Sequence, residues 1–187
     1  MNTASTDTLP PRQSAVIQAF DALNHPPIGL THDTRRYAVS RLNTILANTQ
    51  VLYSLYKKHH WLVRGATFHS LHLVLDEHAQ AQLAIVDALA ERVQSLGGVA
   101  VGDPRHVAEL TSVPRPPDGV ETVPAMLSRL LDAHEQILID TRDAVAQIAA
   151  RGDEGTTDLL VSDVIRTGEV QVWVLSEHLV DTPLVRT

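Results

Sequence analysis

Apolar residues recur at three- and four-residue steps along most of this chain. Val39, Leu42, Ile45, Leu46, Leu52, Leu55, Tyr56 and Leu62 do so with no glycine or proline between them, which predicts one long helix over residues 34–63. Arg64-Gly65-Ala66-Thr67 breaks the pattern. A second long helix is predicted from Phe68 to Leu96, stopped by Gly97-Gly98. A third spans 121–150 and ends at Arg151-Gly152, and a fourth spans 156–180 and ends near Pro183. Gly168 inside the fourth costs about 1 kcal/mol relative to alanine, so it marks a close backbone approach. Before the first long helix, Val16, Ile17, Phe20 and Leu23 predict a short amphipathic helix over 11–24, followed by the turn-rich linker HPPIGLTHD. Residues 99–119, with Pro104, Pro114, Pro116 and Pro117, form a long connection in which HVAEL, 106–110, suits a helical turn. No strand-like alternation and no internal repeat competes.

The expected architecture is all-α: a four-helix bundle over 34–182, with an N-terminal arm at 1–33 and a short tail at 183–187. The long connection between the second and third helices carries the chain from one end of the bundle to the other, which is the ferritin-like topology. A chain of 187 residues and 20.4 kDa fits one such domain.

Composition narrows the chemistry. There is no cysteine, which removes disulfides, thiolate metal sites and cysteine nucleophiles, and fits a reducing, cytoplasmic setting. The N-terminus has neither a basic nor an apolar leader segment, and no apolar run approaches the ~18 residues of a membrane span. Net charge is -7, and the only lysines are Lys57 and Lys58, inside the first helix. In residues 1–36, Arg12, Arg35 and Arg36 balance Asp7, Asp21 and Asp33. DNA affinity comes largely from Lys and Arg, so DNA binding is doubtful and a cation is the expected partner. Gly97-Gly98-Val-Ala-Val-Gly102 lacks the Lys-Ser/Thr ending and preceding strand of a phosphate loop.

The densest chemistry lies in YKKHHWLVRGATFHSLHLVLDEH, residues 56–78, which holds five of the ten histidines. Projected along the second helix from His72, Asp76 falls at about 40°, Asp87 and His69 at about 60° and Glu91 at about 100°. One stripe thus carries His72/Asp76 and Asp87/Glu91, two i, i+4 pairs of the imidazole and carboxylate types that suit iron or zinc. Asp76 and Asp87 are separated by about 16 Å of helix axis, against metal–ligand bonds of about 2 Å. One chain cannot close both pairs on one ion. A second copy packed antiparallel across a twofold axis can, which places the expected site between subunits. No glutamate has a histidine three residues on, so the usual in-bundle di-iron motif is absent.

HHWLVRGATFHSLHLVLDEH followed by DALAERVQSLGG, with GDEGTTDLL and VWVLSEHL in the fourth helix, resembles Dps, the DNA-binding protein from starved cells, a mini-ferritin. The resemblance runs through all four helices. It implies a ferroxidase centre at a dimer interface, with His60, His72 and Asp76 from one subunit, Asp87 and Glu91 from the other, and Trp61 beside them. It implies a hollow homo-dodecamer that binds Fe(II), oxidises it with hydrogen peroxide or O2 and stores ferric oxide. The extra histidines resemble a histidine-rich branch in which zinc can occupy a position, making His69, His78 and His178 additional candidate ligands; His59 and His69 otherwise read as surface residues. The resemblance also places Asp153, Asp158 and Asp163 along a threefold pore for Fe(II), although acidic residues at a helix start also answer the macrodipole. Two alternative functions remain: a DNA-compacting protein with incidental iron binding, and a zinc-sequestering shell with weak oxidase activity.

Overall fold

A computed structural model describes residues 15–180. Four long helical rods form a bundle: α1 (His32–Leu62), α2 (Phe68–Ser95), α4 (Val123–Ala149), and a final rod made of α5 (Glu154–Leu159), a π-helical stretch (Leu160–Ile165) and α6 (Arg166–Glu177). A short α3 (Pro104–Leu110) interrupts the connection between α2 and α4, where HVAEL suggested a helical turn. The described residues are helices joined by turns and loops, and no helix among them is long and apolar enough to cross a membrane.

Local chemistry sets the helix ends. Thr31 caps α1 by accepting the Thr34 N–H at 3.1 Å. α2 ends in a Schellman turn: Gly98 N–H reaches Val93 O, and Gly97 N–H reaches Gln94 O, with Gly97 at φ 87°. A Cβ on Gly98 would stand 2.6 Å from Val39, so this glycine also lets α1 and α2 close together. Gly168 behaves as its position suggested, since a Cβ there would meet Leu138 at 3.2 Å.

The core is aliphatic, with Leu42, Leu46, Leu71, Leu75, Leu89, Leu127, Leu130, Leu160 and Leu175 almost fully buried. Each such leucine contributes about 1.5–3 kcal/mol relative to exposure. Two buried asparagines of α1 tie down the crossover. Asn43 accepts from Val101 N–H and donates to Val99 O. Asn48 accepts from Ser112 N–H and Thr111 Oγ1, and donates to Ser112 Oγ and Asp140.

The helix expected over 11–24 does not form in its described part, residues 15–24. Residues 11–14 lie outside the described residues, as does the tail from 181. Val16 and Ile17 are exposed, while Phe20 packs edge-on against His106. A single turn closes at Ala22 N–H to Ala19 O, and the segment is tied to the bundle by Asn24 N–H and the Gln18 side chain, both donating to Gly97 O. Arg35, buried in α1, donates to Asn24 O, Leu96 O and His25 Nδ1, and so fastens this segment to the C-terminal end of α2.

Three histidines sit inside the bundle. Burial pushes the His59 and His78 imidazoles down to about 4, with Lys58 acting further on His59 and His178 on His78, and pushes His134 down to about 3, with His78 adding to the effect. Between the ordinary value near 6.5 and these lowered ones, the unfolded chain binds more protons than the folded one, so stability falls as pH falls. Urea unfolding should therefore show a midpoint that drops between pH 6.5 and 5, and a flat profile there would contradict the buried, neutral assignment of these rings.

Candidate metal centre

His60 ends α1 and His72 begins α2, twelve residues on, and the turn between the helices folds one ring over the other. The rings stack with centroids 3.7 Å apart and planes 19° from parallel. Phe68 lies against His72 at 5.0 Å. Each ring is fixed by the other residue's backbone: His60 Nδ1–H donates to His72 O at 2.8 Å, and His72 Nδ1–H donates to His60 O at 3.0 Å. A carbonyl can only accept, so each neutral ring carries its proton on Nδ1 and leaves the Nε2 lone pair free. This is how a protein presents imidazole to a metal, one nitrogen anchored and the other available.

Asp76 lies one turn beyond His72. Its carboxylate is held by Lys57 Nζ at 2.5 Å, an ion pair that the sequence reading did not include. Lys57 draws the Asp76 carboxyl below its ordinary range, by the hydrogen bond first, and His60 and His72 add to this. The carboxylate therefore stays ionised further into acid and is already paired with an ammonium group. The spacing that pairs Lys57 with Asp76 crosses two helices, so only the α1–α2 register reveals it.

Asp87 and Glu91 are exposed on α2 and make no ion pair or side-chain hydrogen bond with the described residues. Among the described residues no three histidine or acidic side chains gather into a metal-holding group. One copy thus offers two half-sets, His60/His72/Asp76 at the junction of α1 and α2 and Asp87/Glu91 further along α2, too far apart to act together. Trp61, next to His60, is 70% exposed, as are large parts of Phe68 and Leu73, so the half-set is surrounded by uncovered apolar surface.

The other candidates fare differently. His78 is not a further ligand of this set, because it turns into the bundle, where its Nδ1 meets the Tyr56 hydroxyl at 3.2 Å. His178 is exposed at the end of α6, near enough to lower the His78 pKa. His69 is exposed and the structure gives it no partner among the described residues. His59 is not a surface residue: it is 1% exposed, and neither ring nitrogen finds a hydrogen-bond partner among the described residues. Asp153 cannot line a pore from this position. It is 2% exposed, caps α5 by accepting Thr156 N–H at 3.0 Å, and pairs with Arg92 at 2.6 Å. A position at a helix start, with a threonine three residues on and an arginine across on α2, makes it a structural cap. Asp158 is exposed and accepts a hydrogen bond from Ser162 Oγ, and Asp163 is half-buried on the π-helical stretch.

The ferritin-like domain family matches residues 39–185. The solved structure of DpsC from Streptomyces coelicolor is 63% identical, covers 91% of this chain and 99% of its own, and superposes with a TM-score of 0.90. The DNA protection during starvation protein of Halobacterium salinarum is 35% identical over 90% of each chain. A Dps protein from Vibrio cholerae, described as a member of a broad superfamily of ferritin-like diiron-carboxylate proteins, is 29% identical with a TM-score of 0.79, covering 85% of this chain and 99% of its own. With the match extending over most of the bundle and the relatives carrying the Dps name, this chain belongs to the Dps family of ferritin-like proteins.

Proposed function

We propose that this chain is an iron-storing ferroxidase, working as a hollow dodecamer with its oxidation centres between pairs of subunits. The observation that carries this reading is the stacked His60–His72 pair, with both Nε2 atoms free beside Asp76. Its complement, Asp87 and Glu91, lies unpartnered about 16 Å along the same helix. A second copy in antiparallel register brings the two half-sets together twice per dimer. Imidazoles and carboxylates form a mixed donor set suited to Fe(II), and the carboxylates stabilise Fe(III) as it forms. Two Fe(II) give one electron each to hydrogen peroxide, which takes up two protons and leaves as two waters. Ferric oxide then accumulates in the shell. Asp158 and Asp163 are the pore carboxylates that would draw Fe(II) inward. Zinc shares the preference for this donor set and is a competitor for it.

The names of some relatives raise DNA protection, but the charge of this chain does not favour direct DNA binding. Both lysines are engaged, Lys57 with Asp76 and Lys58 with Pro117 O and Glu121. A cytoplasmic location, near the nucleoid or not, accords with a chain free of cysteine.

Fe(II) added without oxygen, then oxidised with peroxide, should elute with protein at the size of a dodecamer, and His72→Ala/Asp76→Ala should remove the rapid phase. Iron precipitating apart from a small oligomer would refute storage and favour metal sequestration. Mixing that variant with Asp87→Ala/Glu91→Ala should restore part of the oxidation, since mixed dimers rebuild one intact centre; no recovery from properly mixed dimers would place the centre elsewhere. Lys57→Met should tighten binding of zinc, a redox-silent probe, by about tenfold, because a unit positive charge leaves a ligand's side. Titration calorimetry reads this, and weaker binding would mean that Lys57 positions Asp76 instead of competing for it.

A further inference from the structure

Tyr56 lies in the core of the bundle, fully buried on α1 between α2 and α4. Its hydroxyl stands 2.6 Å from His134 Nε2 and 3.2 Å from His78 Nδ1. A phenol has one proton to give, and the shorter contact receives it. Tyr56 therefore donates to His134 Nε2, and His78 Nδ1–H donates to the Tyr56 oxygen. Both imidazole rings stand edge-on to the phenol, at 5.3 Å and 5.8 Å between centroids. The phenol oxygen thus has a base on one side and a hydrogen-bond donor on the other.

Burial pushes the two imidazoles down to about 4 and about 3, so near neutral pH His134 is an unprotonated base. Burial also raises the Tyr56 phenol well above its ordinary value, which opposes simple loss of its proton to form phenolate. Losing an electron changes this. An oxidised phenol is a very strong acid, and its proton then has a short path to His134 Nε2. The resulting neutral phenoxyl keeps a hydrogen bond from His78.

Position supplies the reason for such chemistry. Tyr56 is one helical turn before His60 on the same face of α1, about 6 Å along the axis. Its neighbour Lys57 holds Asp76. Hydrogen peroxide needs two electrons to become water, but one Fe(II) gives only one. A centre holding a single iron would otherwise release a hydroxyl radical.

We propose that Tyr56 supplies the second electron when peroxide meets a singly occupied centre, passing its proton to His134. This rests on the ferroxidase reading above. In the balanced step, Fe(II), H2O2, the hydrogen-bonded Tyr56–His134 pair and two protons give Fe(III), two waters, the Tyr56 phenoxyl radical and protonated His134. The O–O bond breaks, iron and tyrosine are each oxidised by one electron, and peroxide accepts both. His134 is a positioning residue that takes the proton, and His78 holds the oxygen that remains.

The test is freeze-quench electron paramagnetic resonance on protein given less than one Fe(II) per centre without oxygen and then hydrogen peroxide. A tyrosyl signal is expected. The chain has three tyrosines, so Tyr37→Phe/Tyr53→Phe leaves Tyr56 as the only one and should keep the signal. Tyr56→Phe should abolish it and increase spin-trapped hydroxyl radical, while His134→Gln should lower its yield. The double variant does not alter Tyr56, so the result stands even where Tyr56→Phe or His134→Gln folds poorly. Rapid iron oxidation with no tyrosyl signal, or a signal lost from the double variant, would overturn the relay and leave the ferroxidase reading intact. No rapid peroxide-driven iron oxidation in the unsubstituted protein would overturn both.

Discussion

The paired bonds between two imidazoles and two backbone carbonyls, at the junction of α1 and α2, organise this molecule's chemistry. His60 and His72 each hold the other's ring by donating Nδ1–H to the other's carbonyl. Both carbonyls lie near helix ends, His60 in the last turn of α1 and His72 in the first turns of α2. The bond pattern selects the tautomer, and the tautomer leaves both Nε2 lone pairs free. It requires that α1 and α2 stop and start in a fixed relation, which the turn at Gly65, with φ 105°, makes possible. The closeness of the two helices at their other ends, where Gly98 meets Val39, serves the same register.

Around this junction the bundle distributes its polar groups in two ways. Within the core Asn43 and Asn48 hold the crossover and Tyr56 sits between His78 and His134, while the His59 ring nitrogens find no partner among the described residues. Unpaired polar groups in such an interior are costly, so these networks fix one arrangement of helices. On the face carrying the half-set, Asp87 and Glu91 are unpaired but exposed, where water satisfies them. The first pattern stabilises one subunit; the second leaves two carboxylates of α2 open to solvent.

The departures from sequence expectation have physical causes. Asp153 and Asp158 look alike in sequence, both acidic near the start of the last rod. A half-buried arginine partner and a capping bond take Asp153 inside, while Asp158 stays out. His59 and His60 are adjacent, yet the 100° step of a helix turns one into the interior and leaves the other at the surface. His78 lies about 240° from His72 on the projection, which already put it off the stripe; its role with Tyr56 depended on which helix lay opposite. Residues 15–24 had a helical pattern, but Asn24 N–H and the Gln18 side chain bond to Gly97 O at the end of α2 instead of extending a helix.

Periodicity, glycine stops and the proline-rich connection were enough to specify four long helices and a crossover, because each reports a local backbone preference or one side of a helix. The spacing on α2 also set Asp76 and Asp87 about 16 Å apart along the axis, since helix rise is constant. The stacking of His60 on His72, the Lys57–Asp76 ion pair and the Tyr56 network were decided only by tertiary structure. Each joins residues on different helices, and their contacts depend on the rotation and register with which those helices pack, quantities that no single segment of sequence encodes.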